Sequence, residues 1–72
     1  VVVYPNLFDS EILIDSEQSL KGFAIYNVSG KMIQTGSLEG NHAKLNTQAI
    51  KSGLYVLIIQ TETGTISKKI IK

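Results

Sequence analysis

The residues of this chain that could do chemistry are few: one histidine, two carboxylate pairs and a group of lysines in the last segment. His42 stands beside the turn residues Gly40-Asn41. It has no cysteine and no serine–acid constellation to join in a nucleophilic triad, so it reads as a surface imidazole. Asp9 with Glu11 and Asp15 with Glu17 are acidic pairs spaced two apart, a pattern that can contribute calcium ligands. Neither has the ligand density of an EF-hand loop, so they read as solvated charges. Serine and threonine are plentiful, but no segment forms a nucleophile elbow, a phosphate-binding loop or a dinucleotide fingerprint. Lys68, Lys69 and Lys72 remain as the group whose placement invites a recognition role. Catalysis needs several groups converging in a pocket, and this inventory is too thin to supply them. No enzymatic activity, metal or cofactor is therefore expected.

Composition narrows the field further. The chain has 72 residues, an apolar share of 43% and no cysteine. One domain, residues 1–72, is the expectation. A core of this size rarely yields more than roughly 3–5 kcal/mol of net stability. With neither disulfide nor zinc to help, that stability must come from packing and a fully paired backbone. Seven cations against six acids give a formal net charge of +1, too balanced for a nucleic-acid binder that works by phosphate neutralisation. All seven cations are lysine, which removes any bidentate arginine contact. No apolar run approaches the ~20 residues that span a bilayer. The chain opens at Val1 with neither an initiator methionine nor a signal peptide, so it reads as a piece of a longer protein.

The apolar residues recur with a period of two, as strands require. Expected strands are 1–4, 11–14, 23–28, 32–35, 43–45, 54–59 and 66–71. The continuous apolar run Leu54–Ile59 reads as a strand buried on both faces. In 23–28, Phe23 and Ile25 share one face and Ala24, Tyr26 and Val28 the other. Ile66 and Ile70 share a face opposite Ser67 and Lys69. Turns are expected at Pro5-Asn6, Ser29-Gly30, Gly40-Asn41, Ser52-Gly53 and Glu62-Thr63-Gly64, with Ser29-Gly30 as a tight hairpin of the primed kind. The stretch 46–51 is the one place for a short helical turn. Turn signals every 8–12 residues indicate a β-sandwich or small barrel.

Four local patterns then fall in register: Val3-Tyr4-Pro5-Asn6, Ile25-Tyr26-Asn27-Val28-Ser29-Gly30-Lys31, Ile50-Lys51-Ser52-Gly53-Leu54-Tyr55-Val56 and Lys68-Lys69-Ile70-Ile71-Lys72. In this order the chain resembles the C-terminal sorting domain, type A, of type IX secretion cargo. It departs from the pattern at Leu7, where the family usually has a second proline, and at Asn27-Val28-Ser29, where an Asp-containing lead is common. The resemblance implies an all-β, immunoglobulin-like antiparallel sandwich of about seven short strands. It further implies a sorting signal that directs a parent cargo domain, N-terminal to residue 1, through the periplasm and across the outer membrane to the surface or medium. The implied partners are the outer-membrane translocon, shuttle and sortase-like components of the machinery. The implied sequel is proteolytic removal of the domain and surface attachment or release of the cargo.

The recognition residues that the resemblance marks are Tyr4, Pro5, Asn6, Gly30, Lys31, Gly53, Tyr55, Lys68, Lys69 and Lys72. Several have a structural reading as well. Pro5 and Asn6 are favoured in any turn, and Gly30 supplies turn geometry. Tyr55 shares parity with Leu57 and Ile59, so its ring belongs in the core with its hydroxyl on a backbone partner. Lysines on a terminal strand either keep an edge from pairing or offer it to a receptor. Edge strands could also pair two copies across a two-fold. The competing function is an immunoglobulin- or fibronectin-like structural or adhesion module, because fold does not decide function.

Overall fold

The computed structural model of the protein describes Val2–Tyr4 and residues 10–72. Seven strands are present among them: β1 (Val2–Tyr4), β2 (Glu11–Asp15), β3 (Leu20–Asn27), β4 (Met32–Ser37), β5 (His42–Asn46), β6 (Leu54–Thr61) and β7 (Gly64–Ile71). They form two antiparallel sheets, β1-β2-β5 and β4-β3-β6-β7. The chain changes sheet between β2 and β3, between β4 and β5, and between β5 and β6. This is the expected immunoglobulin-like sandwich, with β4 beside β3 in the larger sheet.

Alternation along each strand builds the core. Val3, Ile12, Ile14 and Leu45 face inward from the smaller sheet, and Leu20, Ile25, Tyr55, Leu57, Ile59 and Ile70 from the larger. Ile50, in the β5–β6 connection, is buried in the same cluster. Phe23 packs half-buried against this cluster on the face of Ile25, as its parity predicts.

Two expectations are corrected. The run 54–59 is buried on one face only: Leu54 is exposed and Val56 and Ile58 half-buried, because no described element covers the outside of the larger sheet. The β3–β4 hairpin is not a two-residue primed turn. Its loop is Val28-Ser29-Gly30, with the Gly30 amide bonded to the Asn27 carbonyl at 3.0 Å and the Asn27 amide to the Lys31 carbonyl at 2.9 Å. Only Gly30 takes a positive φ, +87°, which suits a turn that ends on one left-handed residue. The Asn27 side chain secures it, accepting from the amides of Ser29 at 2.9 Å and Lys31 at 3.0 Å. The stretch 46–51, the expected place for a short helical turn, holds one hydrogen-bonded turn, from the Ile50 amide to the Thr47 carbonyl at 3.1 Å.

Tyr55, the second residue of β6, buries its ring and donates its hydroxyl to the Lys51 carbonyl at 2.6 Å. A tyrosine at this corner, bonded to backbone a few residues upstream, is a recurrent brace of immunoglobulin-like sandwiches. Tyr55→Phe leaves the Lys51 carbonyl without that donor. The expected cost is about 1 kcal/mol, read as a drop of roughly 4–8 °C in the midpoint of a circular-dichroism melt.

Candidate recognition surface

The edges of the larger sheet are β4 and β7. β7 pairs with β6 along its whole length, from Gly64 opposite Thr61 to Ile71 opposite Leu54, and no other described strand pairs with its far side. Register fixes where its lysines sit. Lys68 lies opposite Leu57, between Ile66 and Ile70, and so belongs to the inward face of the strand, yet stays exposed. Lys69 lies opposite Val56 on the outer face. A cation on each face of an edge strand discourages indiscriminate strand addition.

Lys72 behaves differently. Its main chain exchanges two 2.9 Å hydrogen bonds with Gly53, amide to carbonyl in both directions. Its ammonium donates to the Thr47 carbonyl at 2.7 Å and is 3.4 Å from the Gln48 carbonyl. The residue thus clasps the end of β7 to the connection that bridges the sheets. Gly53, at φ +155°, provides the backbone half of the clasp. Sequence reasoning placed Lys72 among the recognition residues and missed this role, because Thr47 and Lys72 are brought together only by the return of β7 along β6.

Gly30 and Lys31 lie at the same end of the larger sheet as Gly53, Tyr55 and Lys72, since Asn27 pairs with Tyr55 and Tyr55 with Ile70. Lys31 is exposed beside Met32. Tyr4 stands apart, on β1 of the smaller sheet. Pro5 and Asn6 lie outside the described residues.

Tyr4 belongs to a small polar network. Its hydroxyl donates to Asp15 Oδ2 at 2.9 Å, and His42 Nδ1 lies 2.5 Å from Asp15 Oδ1. His42, expected as a lone imidazole, therefore has a partner on the neighbouring strand. These contacts tie β1, β2 and β5 together, and Lys44 with Glu11 at 3.2 Å adds a second β2–β5 pair. The bonds from His42 and then Tyr4 hold the Asp15 carboxyl below its ordinary range, and the same Asp15 bond raises the Tyr4 phenol. A carboxylate with a lowered folded value stabilises the fold above its unfolded value, and loses that contribution as pH falls through the folded one. Asp15→Asn should therefore flatten the fall in melting temperature below pH 3.8, the ordinary value for the group. A pH series of thermal melts for both proteins checks this. Among the described residues no group of three or more His, Cys, Asp or Glu could hold a metal.

No curated protein matches the chain significantly. Residues 2–72, however, match the family described as the secretion system C-terminal sorting domain. That family is one of sorting signals and not a known family of enzymes. The match over essentially the whole chain identifies it as a member of the type IX secretion C-terminal sorting domains, which mark proteins for export across the outer membrane to the surface or the extracellular space.

Proposed function

We propose that the domain acts as a removable address, recognised first in the periplasm and then at the outer membrane through the open edge of β7. Its partners in this reading are the translocon, shuttle and sortase-like components, with the cargo attached ahead of residue 1. Cleavage upstream of the domain then attaches the cargo to the surface or releases it. The observation that carries this reading is β7 itself, eight residues long, paired on one side with no described strand and bearing Lys68 and Lys69 on opposite faces. An extended segment of a receptor can add to such an edge, with main-chain bonds supplying affinity and the lysines selecting an acidic partner. The adhesion or spacer reading is not favoured by the family match.

Reversing both charges, Lys68→Glu with Lys69→Glu, tests the edge. Both side chains are exposed, so folding stability should change by no more than about 0.5 kcal/mol each. Export of a fused reporter should fall at least tenfold, about 1.4 kcal/mol in the capture step. Undiminished export by a folded double variant would exclude the lysine edge as the captured element.

A further inference from the structure

The outer face of the larger sheet is apolar where it need not be. Register places Val56 beside Tyr26 and Lys69, Ile58 beside Ala24 and Ser67, and Leu54 beside Ile71. Met32 extends the Tyr26 row onto β4. Val28, one residue beyond the Asn27–Tyr55 pair, is 72% exposed; Ile71 is 50%, Met32 48% and Leu54 44% exposed. These residues form one continuous patch. A groove of about 180 Å³ opens in it, with walls that include Tyr26, Met32, Thr35 and Ile58. Towards the other end of the same sheet the outer face turns polar, with Ser37, Gln60 and Thr65.

Charge says what would cover this patch. Lys69 lies within the patch and Lys31 in the turn beside it, while the four strands of the sheet carry no carboxylate. Glu17, Glu39 and Glu62 lie in the connections at the opposite end. Area says how long the cover would stay. Four strands ~4.8 Å apart and about five residues of each give roughly 300 Å², well under the ~800 Å² per partner of a stable complex. A standing homodimer through this face would bury too little, whereas a transient handover suits it.

We propose that this outer face, centred on Val28, Met32, Leu54 and Ile71, is where a protein of the export machinery grips the domain, through an apolar surface bordered by carboxylates. The inference rests on the sorting reading above and adds the face and the chemistry of the partner. Lys69 and Ile71 make the face continuous with the β7 edge. Tyr26 and Met32 supply the aromatic and sulfur-containing contacts that recur at the centres of interfaces.

Two readouts test it on the domain fused to an exported reporter. The first is the variant Val28→Ser with Leu54→Ser. It should remain folded by circular dichroism and lose export at least tenfold. The second places the photo-crosslinker p-benzoylphenylalanine at Val28 or, as a control, at Ser37. Position 28 should yield an adduct with a larger protein only in a host with an intact type IX system, and position 37 should yield none. Normal export of the folded double variant overturns the inference while leaving the sorting reading intact. An adduct of twice the fusion's own mass, or an adduct with lipid, overturns the choice of partner. Failure of the unsubstituted fusion to be exported from the intact host would instead remove the sorting reading, and this inference with it.

Discussion

Leu57→Ala should leave the domain largely unfolded at 25 °C. Leu57 is fully buried at the middle of β6, paired on one side with Ile25 and on the other with Lys68. Truncation to alanine loses the transfer energy of three carbons and leaves a cavity that a small sandwich closes poorly, a cost of about 2–5 kcal/mol. A domain of this size holds roughly 3–5 kcal/mol in total, so the substitution consumes most or all of it. Urea titration followed by circular dichroism measures the effect directly. Leu54→Ala, three residues earlier on the exposed side of the same strand, should cost well under half as much. Equal effects at the two positions would contradict the assignment of inner and outer faces.

Removal of Ile70–Lys72 should have the second largest effect, and for two combined reasons. Ile70 is fully buried opposite Tyr55. Lys72 supplies the clasp to Gly53 and Thr47, whose loss frees the end of β7 and leaves the Thr47 carbonyl without its ammonium donor. The cavity alone costs about 2–5 kcal/mol, and each lost charged hydrogen bond about 1.5–3 kcal/mol. The truncated domain should therefore lack a cooperative melting transition, and export should be abolished. Keeping Ile70 and Lys72 while changing the exposed residue between them shows that these two carry the effect. A chain that keeps Ile70 and Lys72 but carries Ile71→Ser should melt cooperatively.

Much of this architecture was legible in the residues. Alternating patterns, the continuous apolar run 54–59 and the turn residues between them located all seven described strands, because a half-buried sheet leaves an alternating trace. Tyr55 could be placed in the core, with its hydroxyl on backbone, from parity with Leu57 and Ile59 alone. What escaped depended on contacts between distant segments. Leu20, buried at the start of β3, stands before a register shift between Leu20 and Gly22 and so falls out of phase with Phe23 and Ile25. The apolar run 54–59 does not reveal whether a second layer covers its outer face, and none among the described elements does. The Lys72 clasp and the Tyr4–Asp15–His42 network each join residues far apart in the chain, so spacing carries no trace of them. Of the recognition residues, Lys68 and Lys69 are exposed on the edge strand of the described sheet, Tyr55 and Gly53 serve the β5–β6 corner, and Gly30 serves a turn.

The most direct test of the central claim is a fusion of Val1–Lys72 to the C-terminus of a fluorescent reporter that carries its own N-terminal export signal. It is expressed in a bacterium with an intact type IX system and in a matched strain lacking it, and surface and medium fluorescence are measured in both. Sorting by this domain predicts fluorescence at the surface or in the medium of the intact strain and retention in the periplasm of the other. A folded reporter retained equally in both strains would contradict the claim that these residues suffice as the sorting signal.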